Sequence, residues 1–552
     1  MKKKLWTILF LLFTLSLFSC NNKGKNVSEE AIVTSAEEIN NKAEELIQET
    51  VKDVLKDKRL ADSFNLKNPQ LLDGIYEEHS YEPLWTSNGA FESYSDSLIS
   101  FIANCRYYGL FPDDYHYDEL KGLRDTLLTD SSKRLDASRW AFADLLLTSA
   151  FTQMVKDIKA GRILPDSVMQ KDSSLSKEFF VQQLQRLKKA ASVDSFATAL
   201  EPTHVQYREL RQAIRPFVDS ANFKSYTYVY GFDSGTLKKR AYQRIIEEDS
   251  MELDGAVYDS AAFVNAIKKY QKVKKLKVDG KLSADIIKKL NDTDEERFKR
   301  IAITLDRYKQ LPPLPEQYIW VNIPSYRLQV RSSDTVVMIS KVAVGKSYTR
   351  TPEIVSAISD MITYPQWTIP ASIIEKEILP GLKKDPGYTN KKGYSIIDKD
   401  GNVIDAYLVD WSKYKKGIPY KVVQGSGDAN ALGVIKFNFP NKHSVYLHDT
   451  NQRYLFSRKN RALSHGCVRV ESWKDLAYYI LERDSLASTS FTPKDSLDKW
   501  LLLKQKKVIP VRKRLPVFIK YFTCEGVDGK VVFYEDIYEE DRKLRNKYFA
   551  TK

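Results

Sequence analysis

Lys436–Trp473, KFNFPNKHSVYLHDTNQRYLFSRKNRALSHGCVRVESW, governs the reading of this 552-residue chain. At its centre Ser464-His465-Gly466-Cys467-Val468-Arg469 sets a cysteine beside a glycine, and His448 lies 19 residues upstream of that cysteine. A free thiol titrates near pH ~8.5, so a nucleophilic cysteine needs a group that generates or stabilises the thiolate. The usual partner is a histidine, itself oriented by a third group. Ser444 to His448 alternates as a strand does. A regular strand puts Ser444, Tyr446 and His448 on one face and His443, Val445 and Leu447 on the other, with a base beside an aromatic wall. Gly466 suits tight backbone in which the N–H groups of Gly466 and Cys467 point at a developing oxyanion. Ser472 followed by Asp475 reads as a capping box for a helix through Leu476–Leu481. The competing reading is an inert core thiol with two hydrogen-bonded histidines; the Gly-Cys step, His465 and Arg469 weigh against it. A metal held by His448, His465 and Cys467 is a weaker reading still. No further cysteine or histidine cluster completes a closed structural site, and His443 faces the wrong way. Neither metal nor cofactor is expected.

His448, fifteen intervening residues and then Ser464 to Arg469 form a pattern that resembles the signature of the YkuD-type L,D-transpeptidases. The flanking Phe439-Pro440-Asn441, Val445 to Thr450 and Arg461-Ala462-Leu463 resemble the large, multidomain YcbB-like branch. The resemblance implies a cysteine enzyme that cross-links peptidoglycan peptides in cell wall biogenesis, inhibited by carbapenems and largely indifferent to most penicillins. It implies Cys467 as nucleophile and His448 as general base and acid. His465, Gly466, Arg469 and Ser464 support them, and Tyr446, Trp367 and Asn441 line the substrate cleft. The family orients its base through a backbone carbonyl, so Asp449 is not assigned as a triad acid; a side chain next to a strand histidine points to the other face.

Met1 to Lys4 is basic, Leu5 to Phe18 is apolar, and Leu17-Phe18-Ser19-Cys20 closes the run. Residues 1–19 read as a signal peptide rather than a membrane span. The Leu-Phe-Ser-Cys ending resembles a lipobox, which implies lipid attachment at Cys20 and anchoring to a membrane without crossing it. Asn21 favours the outer membrane, facing the periplasm. Of the four cysteines, Cys105, Cys467 and Cys524 remain after Cys20. An odd number in an exported chain leaves at least one thiol unbridged, and Cys467 is the expected one. The net charge of +14 suits an anionic polymer or membrane surface. Export and the lack of a recognition module argue against nucleic acid.

The length calls for several domains. Residues 20–60 read as a polar tether with an amphipathic helical part, and 61–225 as a helical scaffold broken by aromatic loops. The clearest helix there is Leu145–Arg162, with Gly161 near its end. His79 and His116 sit in the aromatic loops as structural residues. In 230–295 two Asp-Gly turns, Asp254-Gly255 and Asp279-Gly280, bracket a helical pattern through Phe263, Ile267 and Tyr270. This region resembles the peptidoglycan-binding type 1 module, which would raise the local concentration of peptide stems. Residues 296–316 read as a linker helix ending in Leu311-Pro312-Pro313-Leu314-Pro315, where a stiff boundary falls. From 317 to 540 the period changes from 3.6 to 2. Residues 375–424 form an irregular insertion that resembles a capping subdomain, able to keep water from an acyl-enzyme. Val508 to Tyr534 reads as a closing hairpin that turns at Asp528-Gly529. The expected fold is therefore multidomain. An α-helical scaffold and a peptidoglycan-binding-like module precede a mainly β catalytic domain with a capping insertion.

The expected reaction joins donor and acceptor tetrapeptide stems of peptidoglycan through a cysteine acyl-enzyme, giving a 3→3 link. Arg469 is positioned to pair with a substrate carboxylate. Two alternatives stay open on these residues: a cysteine hydrolase of the same fold, carboxypeptidase or amidase-like, and a non-catalytic wall-binding lipoprotein.

Overall fold

The computed structural model describes residues 27, 29–57, 68–163, 175–231, 233–248 and 259–549. Cys20, the leader and the Asp254-Gly255 turn lie outside them. The chain divides into two compact units: residues 1–104, 111–155 and 175–199, and residues 105–110, 156–174 and 200–552.

The first unit is helical. Its longest helix, Ala137–Lys159, carries Trp140, Leu147, Phe151 and Met154 fully buried. One buried carboxylate explains how the neighbouring aromatic loop is held. Asp144 accepts from the backbone N–H groups of Leu84 and Trp85 at 3.0 and 2.8 Å and from the Tyr76 hydroxyl at 2.7 Å. These bonds satisfy a charge that would otherwise be expensive to bury. His79 in the same loop bonds the Ile75 carbonyl, as a structural histidine does.

In the second unit three helices, Ser234–Ile246, Ser260–Val273 and Ala284–Leu290, share a small core of Ala241, Ile245, Phe263, Ile267, Tyr270 and Leu290. The Asp279-Gly280 turn between the last two is tied down by Gln271. Its Oε1 accepts from both turn N–H groups at 2.9 Å, and its Nε2 donates to Asp279 Oδ1 at 2.8 Å. Helix Asp294–Lys309 follows. It is no exposed linker: Phe298, Ile301, Ile303, Leu305 and Tyr308 are all fully buried, and Tyr308 stacks on Phe522 with centroids 4.3 Å apart.

From residue 317 the chain builds strands β1 (Gln317–Asn322), β2 (Arg327–Ser332), β3 (Thr335–Gly345), β4 (Ile354–Thr363), β5 (Trp367–Thr368), β6 (Tyr394–Ile397), β7 (Val403–Ile404), β8 (Lys421–Gln424), β9 (Ile435–Asn438), β10 (Leu447–His448), β11 (Ala462–Ser464), β12 (Val468–Val470) and β13 (Lys507–Lys520). Nine of them form one sheet in the order β11-β3-β12-β10-β9-β4-β13-β1-β2, and β2 also pairs with β3, so the sheet returns on itself. The enclosed core includes Val321, Leu328, Val342, Ile358, Phe437, Leu447, Val468, Val470 and Val517. Cys524–Val527 and Lys530–Phe533 form a separate hairpin with Asp528 and Gly529 at positive φ, as an Asp-Gly hairpin turn requires. The strand before it, β13, lies in the sheet between β4 and β1 instead of pairing within the hairpin.

Three expectations change. Strand β10 is only two residues long, because Ser444 takes φ 55° and breaks the extended run; alternation survives from Val445 on. Ser472 precedes helix Trp473–Ala487 without a side-chain cap bond, its backbone N–H donating instead to Ser340. The insertion begins at Trp367 rather than 375 and is not irregular. Strands β5, β8, β6 and β7 form their own sheet over a core of Ile369, Ile374, Leu382, Ile396, Trp411 and Val422. Its apolar residues come from short, unlike elements, so no single period runs through them.

Candidate active site

Strand pairing assembles the site. Parallel β10 and β12 set Leu447 opposite Val468 and His448 opposite Arg469, and antiparallel β9 sets Lys436 opposite His448. Residues paired across strands point to the same face. Leu447, Val468 and Phe437 therefore go into the core, while His448, Arg469 and Lys436 emerge together on the other face. Tyr446 and Cys467, each two residues earlier on their chains, join that face. The Tyr446 carbonyl accepts from Val468 N–H at 3.2 Å, which brings the two chains together at this level. The rings of Tyr446 and His448 are 5.6 Å apart.

His448 is 3% exposed, and its Nδ1 contacts the backbone carbonyl of Asp449. A carbonyl only accepts, so Nδ1 carries the hydrogen and Nε2 is left as the basic nitrogen. Burial first, then the Arg469 charge, opposed by the Asp449 carbonyl, hold the His448 pKa down at about 3. The ring is neutral at ordinary pH. The Asp449 carboxylate is engaged elsewhere, accepting from Val434 N–H at 3.1 Å and from Arg453 at 2.9 Å.

Cys467 is partly exposed, and its Sγ lies 3.8 Å from the Ser444 carbonyl. Burial pushes the thiol pKa up; hydrogen bonds from Tyr446 and the charges of Lys436 and Arg469 pull it down. Neutral thiol beside neutral imidazole calls for general-base activation at the moment of attack, rather than a standing ion pair. Cys105 and Cys524 are both buried and not joined to each other.

The loop bearing the thiol is braced from behind. Gly466 takes φ 122°, which an L side chain rarely adopts. Ser464 Oγ accepts from Gly466 N–H at 3.1 Å and donates to the Cys467 carbonyl at 2.6 Å. The Gly466 N–H is thus spent inside the loop and is not the oxyanion donor it was expected to be. Among the described residues no acceptor meets the Cys467 N–H. Thr351, to which the sequence reading gave no site role, donates from Oγ1 to the Gly466 carbonyl and accepts from Gly345 N–H, both at 2.8 Å.

The other expected residues divide. Trp367 packs at the edge of the insertion core, and its side chain also reaches the Tyr446 hydroxyl. Asn441 does not offer its amide to the cleft: it donates to the Phe439 and Val445 carbonyls and accepts from His443 and Val445 N–H, clamping the loop before β10. His465 meets Glu377 of the insertion at 2.6 Å. Arg469 donates to Gln452 Oε1 at 2.8 Å, and its buried Nε lacks a partner among the described residues. Lys436 was missed because only the pairing of β9 with β10 brings it to the histidine.

The arrangement is a thiol, an oriented neutral imidazole, an aromatic wall and two cations on one face of a closed sheet, the equipment of cysteine acyl transfer. Residues 316–487 match the family model of the L,D-transpeptidase catalytic domain, YkuD, and residues 70–214 match that of a scaffold domain. A protein of Haemophilus influenzae named "Putative L,D-transpeptidase" is 39% identical over 246 residues, 45% of this chain and 49% of that protein. The matched stretch spans about half the length of that curated relative. The chain carries a YkuD-family L,D-transpeptidase catalytic domain, sheet-rich and with inserted elements, behind an N-terminal helical scaffold domain.

Proposed function

We propose that this protein is an L,D-transpeptidase of the YcbB-like branch, which joins peptidoglycan peptide stems by 3→3 links through a Cys467 acyl-enzyme. The observation that carries the reading is the register of β10 on β12, which puts a carbonyl-oriented, neutral His448 on the same face as Cys467. His448 Nε2 takes the thiol proton as Sγ attacks the carbonyl of a donor tetrapeptide, and the tetrahedral oxyanion is met by the Cys467 N–H. Collapse expels the terminal D-alanine, whose amine receives the proton from His448. The amine of a second stem then resolves the thioester. Closure by the insertion, which carries Trp367 to the Tyr446 side of the site, favours an amine over water as acceptor. The helical module at 230–295 would hold the enzyme on the wall, and the lipid on Cys20 would tether it to the outer membrane.

Incubating the purified protein with disaccharide-tetrapeptides, with products read by mass spectrometry, tests the reading. Dimers that have lost one alanine are expected. Tripeptide alone would make the protein a hydrolase of the same fold, and no product from a protein with an intact Cys467 thiol would sink both.

A further inference from the structure

Lys436 is a half-buried ammonium on the face that carries the thiol. Its Nζ lies 3.9 Å from the centre of the Tyr446 ring, and among the described residues no carboxylate closes an ion pair on it. Asp360 of β4, on the same face, acts on Lys436 by its charge without closing an ion pair, and its oxygens also accept from Asn438 Nδ2 at 2.6 Å and Ser359 Oγ at 2.7 Å. The other charged or titratable groups around the thiol are Arg469 beside it on β12, His448 on β10, Tyr446, His443 and Lys442 on the loop before, and the Glu377–His465 pair at the insertion. A cation partly withdrawn from water with no ion pair closed on it is costly, and an anion formed beside it in use offsets that cost.

We propose that Lys436 is a positioning residue whose charge is the standing counter-ion for the anion that Cys467 becomes. The inference rests on Cys467 as nucleophile and His448 as its base. In the step concerned, the proton leaves Sγ for His448 Nε2, the sulfur lone pair forms the bond to the carbonyl carbon, and the carbonyl π pair moves to oxygen. Lys436 keeps its proton throughout. Opposite His448 on one neighbouring strand as Arg469 is on the other, it favours the thiolate and disfavours premature protonation of the imidazole. Both displacements have the expected sign: the Lys436 charge lowers the pKa of Cys467 and of His448 alike.

The test is alkylation of Cys467 by iodoacetamide in the full chain as a function of pH, with the modified peptide quantified by mass spectrometry. Lys436→Met should move the profile to higher pH and slow alkylation near neutrality by about ten- to a hundredfold, tenfold for each pKa unit. Lys436→Arg should restore most of it. A Lys436→Met protein with native near-ultraviolet circular dichroism and an unmoved profile would overturn the proposal. Should the methionine variant fail to fold, Lys436→Gln makes the same comparison, and an unmoved profile there is equally fatal. Because alkylation needs no stem peptide, a shifted profile without transfer products would count against the proposed reaction while leaving the role of Lys436 standing.

Discussion

His448 shows at the scale of one residue how burial and chemistry are joined. Its ring is neutral when folded, down to a pKa of about 3, whereas in the unfolded chain it takes a proton near its ordinary pKa of 6.5. Between those values the unfolded state binds more protons, so stability falls as pH falls through that window. At full extent the loss is roughly 4–5 kcal/mol, at about 1.4 kcal/mol per unit. Denaturant unfolding at pH 7.5 and pH 4 should show a larger drop for the native protein than for His448→Gln. An equal drop in both would remove the argument for a buried neutral base. The same substitution should lower turnover by about 10²–10⁴-fold. Cys467 allows a cleaner separation of chemistry from fold, since its side chain is only partly buried. Intact mass after carbapenem treatment should show one adduct on the native protein, mapped to the Cys467 peptide, and none on Cys467→Ala. An adduct that persists in the variant would move the nucleophile elsewhere.

At the scale of elements, the insertion and the thiol loop depend on contacts that adjacent residues do not announce. Trp411 is buried in the insertion core, and its indole N–H donates to the Ala406 carbonyl at 2.8 Å. Trp411→Ala should cost about 3–5 kcal/mol, felt locally. Hydrogen exchange should accelerate across residues 367–424 while the nine-stranded sheet stays protected; uniform acceleration would contradict an independent core. In the thiol loop, Gly466→Ala imposes a side chain at φ 122°, with its Cβ 3.4 Å from the Arg350 carbonyl. Strain of about 1–3 kcal/mol is expected at such a position, read as slower Cys467 alkylation together with a lowered melting temperature. An alanine variant that matches the native protein in both would show that the loop tolerates another conformation.

For the whole molecule, the sequence implies a catalytic domain delivered to its polymer by a tether and a wall-binding module. Among the described residues no helix is long and apolar enough to cross a membrane. The Leu-Phe-Ser-Cys ending makes Cys20 the expected point of lipid attachment. Cys20→Ala should shift the protein from the membrane fraction to the soluble fraction in cell fractionation without changing activity of the purified enzyme. Membrane association that survives the substitution would point to another anchor. The helical module makes a separate prediction. Gln271→Ala removes three bonds from the Asp279-Gly280 turn, so binding to isolated wall polymer should weaken while transfer between soluble stems is unchanged.

The sequence by itself singled out the candidate pair, because His448 and the Ser464–Arg469 run are local patterns of residue type and spacing. It also determined where the 3.6 period gives way to the period of 2, since each strand and helix writes its own alternation. Only the tertiary structure decided what surrounds the pair. Lys436, Thr351 and Glu377 reach the site through pairing and packing between segments distant in sequence, and no local period encodes such contacts. For the same reason Asn441 and Ser464 proved to be braces: the bonds they spend on backbone exist only once the loops on either side have closed.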